Sequence, residues 1–116
     1  MKNIGIIGTR RRNTQTDYLK TKQVFLRHYE NGDKIISGGC PKGGDRFAER
    51  IAKHYDIPIQ IFYANWELGR HAGFLRNTDI AKASDILIAC VAKDRTGGTE
   101  DTIKKYLKSK KGLILV

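Results

Sequence analysis

Five short apolar runs, each nearly unbroken, recur along this chain: Ile4–Gly8, Lys34–Ser37, Ile57–Phe62, Asp85–Cys90 and Gly112–Val116. A strand covered on one face alternates apolar and polar residues, whereas a strand covered on both faces is apolar throughout. These runs therefore predict strands inside a sheet with helices above and below it. The segments between them carry helical spacing. Asp17–Tyr29 sets Tyr18, Leu19, Val24, Phe25 and Leu26 among polar residues, and Asp45–Tyr55 sets Phe47, Ala48, Ile51, Ala52 and Tyr55 on one side. Ala72–Ala83 and Thr99–Leu107 complete a strict strand–helix alternation. Alternation of this kind requires right-handed crossovers and parallel strands. The prediction is an α/β, three-layer Rossmann-like fold, with a five-stranded, mainly parallel sheet and helices on both faces. At 116 residues the chain is expected to be one domain, 1–116, because neither half is large enough for a core.

Composition narrows the partners. With 22 basic and 12 acidic residues the formal charge is +10, which favours nucleotides, nucleic acid or phosphorylated metabolites. Lys104, Lys105, Lys108, Lys110 and Lys111 read as a solvated helix face and its last turn, whereas Arg10, Arg11 and Arg12 directly follow a strand. Cys40 and Cys90 lack metal-ligand spacing, so both are expected as free thiols, with no metal and no cofactor assigned. No run reaches the roughly 20 apolar residues of a membrane helix, and the start reads as a strand, so a cytoplasmic protein is expected.

Ligands of parallel α/β sheets bind beyond the carboxyl ends of the strands, where strand order reverses. The loops after the strands are therefore the candidate site. After the first strand, Gly8 permits a tight turn, while Thr9 and the arginines Arg10, Arg11 and Arg12 offer donors to a phosphate. After the second, Ser37-Gly38-Gly39-Cys40-Pro41-Lys42-Gly43-Gly44-Asp45 combines close backbone approach with a helix N-terminus. Asp45 either caps that helix or accepts from ribose hydroxyls. After the third come Trp66, as a lid or a stacking surface, then Arg70, His71, Arg76 and Asn77. Arg76 either faces the crevice or pairs with Asp79 or Asp85. After the fourth, Gly97-Gly98-Thr99 is a second glycine turn feeding a helix. Neither G-x-G-x-x-G nor a Walker A loop occurs, so a dinucleotide dehydrogenase and a P-loop ATPase are unsupported.

In this order the motifs resemble the SLOG superfamily of Rossmann-like domains, which includes the DNA-processing protein DprA and the LOG-type phosphoribohydrolases. The likeness is strongest to its YspA/YpsA-like small proteins. It rests on Gly8-Thr9-Arg10, Ser37–Asp45, Ala64-Asn65-Trp66, Gly69–Gly73, Arg76-Asn77 and Gly98-Thr99. The resemblance implies a pocket for a nucleotide or nucleotide-derived ligand lined by these loops. It also matches Arg76 to the arginine that LOG-type enzymes place before their glycine motif. Their catalytic glutamate, three residues after the threonine, falls on Thr102 here. Glu100 is near in sequence but roughly 200° away around a helix.

Three functions fit these residues. The first is a nucleotide binder, acting as sensor, carrier or sequestering protein through Gly8, Thr9, Arg10, Ser37, Gly38, Gly39, Lys42, Gly43, Asp45, Trp66, Arg70, Arg76, Asn77, Gly97, Gly98 and Thr99. The second is an N-glycosidic hydrolase of nucleotides, with Asp45, Glu100 and Arg76 as candidate catalytic groups. The third is a DprA-like binder of single-stranded nucleic acid, relying on the positive charge and Trp66. The missing glutamate moves the weight from catalysis to binding. Association into homo-oligomers is left open, since no residue pattern marks an interface.

Overall fold

A computed structural model describes residues 1–69 and 71–116 of the chain. The strands are β1 (Asn3–Gly8), β2 (Lys34–Ser37), β3 (Ile59–Ile61), β4 (Ile86–Cys90) and β5 (Leu113–Leu115), and the helices are α1 (Gln15–His28), α2 (Gly44–Tyr55), α3 (Ala72–Ala83) and α4 (Gly98–Leu107). All four strand pairings are parallel, in the order β3-β2-β1-β4-β5. The sheet is thus wholly parallel. Connections run one way from β1 through β2 to β3 and the other way from β4 to β5. The order reverses between β1 and β4.

The unbroken apolar runs are explained by two cores. Ile4 and Ile6 of β1, Ile35 of β2, and Ile88 and Cys90 of β4 meet Tyr18 and Phe25 of α1 and Phe47, Ala48 and Ile51 of α2. The alternate residues Ile7, Ile36, Leu87 and Ala89 meet Ile80 and Ala81 of α3 and Ile103 and Tyr106 of α4. Successive residues point to opposite faces, and a helix pair covers each face.

Element ends depart from the expectation where local chemistry outranks hydropathy. Helix α1 starts before Asp17, because Thr14 and Asp17 form a reciprocal capping box that satisfies the first amides. Strand β3 is shorter than Ile57–Phe62. The chain enters from Asp56 in the left-handed region, Pro58 has no amide to pair, and the strand sits at the sheet edge. At the far side, Lys110 is not simply solvated. Its ammonium donates to the carbonyls of Ala81, Lys82 and Ser84, closing the carboxyl end of α3.

Candidate functional site

A cleft of about 310 Å³ opens above the reversal point, with Gly8, Arg10, Asp45, Arg76, Gly98 and Thr102 among its walls. Of the residues singled out from sequence, Gly8, Thr9, Arg10, Asp45, Arg76, Asn77, Gly97, Gly98 and Thr99 line it. Ser37, Gly38, Gly39, Lys42, Gly43 and Trp66 do not, and Arg70 lies outside the described residues. Arg11, Cys40 and Thr102 also line the cleft.

The three consecutive arginines have separate fates. Arg12 is tied to Asp17 and to the carbonyls of Val91 and Val116. Arg11 pairs with Asp94 at 2.9 Å and donates to Thr96 O and Oγ1, joining the loops after β1 and β4. Arg10 is exposed, lines the cleft, and has no carboxylate partner among the described residues.

In the loop after β2 the glycines answer to packing. A Cβ on Gly44 would collide with the backbone of Ile7 and Gly8, and one on Gly43 with the Thr9 carbonyl. Gly43 also has a φ of 74°, and its amide donates to Asn13 Oδ1 at 2.8 Å. The start of α2 is therefore pressed onto β1 and the loop after it. Ser37 is buried beneath the same loop, where its hydroxyl reaches the Asp45 carbonyl at 3.3 Å.

The start of α4 contrasts with this. Gly97 has a φ of 107°, no side chain caps the helix, and a Cβ on Gly98 would meet nothing within 4 Å. At Gly97 a Cβ would come no closer to the rest of the protein than 3.9 Å, to the Arg11 guanidinium. One turn further on, Thr102 is 2% exposed and forms part of the cleft wall.

Two polar side chains of α3 complete the walls. Asn77, 7% exposed, donates to Asp101 Oδ2 at 3.1 Å and to Gly98 O at 3.4 Å, tying α3 to the open start of α4. Its Oδ1 accepts from Arg76 Nε at 3.1 Å, and Arg76 Nη1 donates to Gly38 O at 2.6 Å. Arg76 is thus aimed by two polar groups at the loop after β2, and neither Asp79 nor Asp85 holds it. Of the two roles expected of Asp45, the helix cap is not the one it takes. Gly43 occupies the cap position, and Asp45 instead turns its carboxylate back to accept the Cys40 amide at 3.1 Å. Thr99 is likewise not a cap, since Gly97 holds that place.

Asp45 is 8% exposed, and burial pushes its pKa up to about 6, against the opposing pull of the Cys40 amide and Arg76. No cation closes an ion pair with it among the described residues. Glu100 stands apart. It pairs with Arg95 at 2.8 Å and is not a cleft wall, as the angular separation from Thr102 requires. Trp66 opens a short 3-10 turn, is 68% exposed, and lies with its ring edge over Gly73 rather than in the cleft. Among the described residues no group of three His, Cys, Asp or Glu is placed to hold a metal ion, and no helix is long and apolar enough to cross a membrane.

Fold and site together define a Rossmann-like α/β protein with a small cleft rich in hydrogen-bond donors at the reversal of strand order. Among solved structures the chain is similar to the molybdenum cofactor binding protein from the phototrophic bacterium Rippkaea orientalis. The two superpose with a TM-score of 0.75 at 25% identity, over 98% of this chain and 75% of that one. No family model matches the chain, and a search of curated proteins finds no match.

Proposed function

We propose that this chain, residues 1–116 acting as one unit, binds a small molecule bearing a phosphate, of the nucleotide or nucleotide-derived kind. The observation that carries the reading is the start of α4. No side chain caps its first amides, a Cβ on Gly98 would meet open space, and Thr102 lines the cleft one turn below. Arg10 and Arg76 add two guanidinium groups to the same cleft, which at about 310 Å³ is the size of a small-molecule site. Motif likeness supports membership of the SLOG superfamily near its YspA-like branch. The Rippkaea protein's name, a molybdenum cofactor binding protein, supports a small-molecule ligand and adds that cofactor to the ligands worth testing.

Calorimetry against nucleoside monophosphates, cyclic dinucleotides, NAD-derived compounds and molybdenum cofactor tests the reading. At least one should bind saturably. Arg10→Ala should weaken that binding about tenfold or more without lowering thermal stability, because this arginine has no structural partner to lose. Thr102→Val should weaken it several-fold, and Lys53→Ala, which removes a charge outside the cleft, should not. Silence of the wild type across the panel sinks the proposal.

A second reading rests on Asp45, the carboxylate in the cleft wall, whose raised pKa suits proton transfer. Release of free base from a nucleoside monophosphate, lost in Asp45→Ala, would establish N-glycosidic hydrolysis. The nucleic-acid reading has the +10 charge in its favour. Binding of single-stranded DNA that weakens steeply with salt would promote it.

A further inference from the structure

We propose that Asp45 couples the cleft to protons, so that an anion entering it is bound together with one proton taken up by this carboxyl group. The inference rests on the anion-binding reading above and goes beyond it, since that reading needs no proton.

Asp45 is the second residue of α2, is 8% exposed, and forms part of the wall of the cleft whose other donors suit an anion. A cleft of about 310 Å³ is small. An anion held anywhere in it lies within about a Debye length of Asp45, roughly 8 Å at physiological ionic strength. The charged groups around Asp45 do not neutralise it. From α3 comes Arg76, whose guanidinium bonds Gly38 O and Asn77 Oδ1 rather than the carboxylate. From its own helix comes Glu49, which adds negative charge. The loop after β1 brings Arg10 and Arg11, the latter held by Asp94, and the loop after β2 brings the Cys40 amide and thiol. The end of β1 offers Ile7 and Gly8, and α4 offers Thr99 and Thr102, all uncharged.

An entering anion therefore faces a buried carboxylate that lacks an ion-pair partner. Two like charges in a site screened from water raise the proton affinity of the weaker acid. Burial has already brought Asp45 to about 6, so a modest further rise makes it neutral at physiological pH. The arginines stay charged throughout, and none of the three histidines is a cleft wall. Among the described residues that line the cleft, Asp45 is the group able to titrate between about pH 5 and 8.

Sulfate is the probe, because it does not titrate in this range. Amide shifts of Gly97, Gly98 and Thr99 are followed by NMR while sulfate is added at pH 7.5 and 5.5, and calorimetry at pH 6.5–7.5 in two buffers of different ionisation enthalpy counts protons. Wild type should bind sulfate at least about fivefold more tightly at pH 5.5 and take up about half a proton or more. Asp45→Asn should bind with no pH dependence and no proton uptake. A direct ¹³C titration of the Asp45 carboxyl in wild type, with and without sulfate, should show its pKa rising on binding, and does not depend on the variant. Equal affinity at both pH values, an unmoved carboxyl pKa, or a slope that survives in Asp45→Asn overturns the coupling. Sulfate binding that is pH-independent leaves the anion-site reading standing, whereas no amide shift in either protein removes both.

Discussion

At the scale of single residues, Asp45 is held at a cost to the fold. Its folded pKa, about 6, lies above the ordinary 3.8, so the folded state binds more protons than the unfolded one between these values. Stability is therefore full below about pH 4 and declines as pH rises through 6. Asp45→Asn should raise stability by about 2 kcal/mol at pH 7.5 and by little at pH 4, as urea unfolding at the two pH values will show. No gain at pH 7.5 would mean that the carboxylate is better neutralised than its surroundings indicate. Its neighbours show why side-chain roles are not readable from type alone. Arg10, Arg11 and Arg12 are chemically identical, yet two of them are held by carboxylates and carbonyls and the third lines the cleft without a carboxylate partner among the described residues.

At the scale of elements, the two helix starts at the cleft solve different problems. The N-terminus of α2 approaches β1 so closely that only glycine fits at Gly44. Gly44→Ala should push the helix away from Ile7 and Gly8 and cost about 3 kcal/mol in chemical denaturation. Gly98→Ala should cost far less stability, since a Cβ there meets open space. The glycine spacing made both loops conspicuous in the sequence. Which of them is packed and which is open depends on how each helix meets the sheet, a distance that spacing does not encode.

At the scale of the whole molecule, opposing carboxylates shape the response to pH. Asp33 is 2% exposed; burial opposes its charge, but the Lys2 ammonium and the Lys2 and Glu30 amides overcome that and hold its pKa near about 2. Its contribution is present above pH 4 and is lost as pH falls toward 2. The pair of Asp94 with Arg11 acts in the same direction but is exposed and counts for less. Acid also adds to a formal charge already at +10. Combined with Asp45, these groups place maximal stability near pH 4–5 rather than at neutrality. Thermal unfolding from pH 2.5 to 8 checks this, and in Asp45→Asn the maximum should broaden toward pH 7.

Strands β1, β2 and β4 were legible in the sequence because burial on both faces leaves an unbroken apolar run, and helix α3 because its spacing is helical from end to end. The edge strands β3 and β5 were drawn too long, since half-exposed ends obey backbone pairing rather than hydropathy. The glycine loops, Arg10 and Arg76 were visible as types that suit an anion, and Asp45 as a helix cap or an acceptor of hydroxyl protons, for their chemistry is local. Strand order, the closed start of α2 beside the open start of α4, the place of Thr102 in the cleft wall and the buried carboxylate of Asp45 emerged only from the tertiary structure. Each depends on contacts between segments distant along the chain. Composition and periodicity describe what a segment prefers, whereas a cleft and a shifted proton affinity belong to the space between segments.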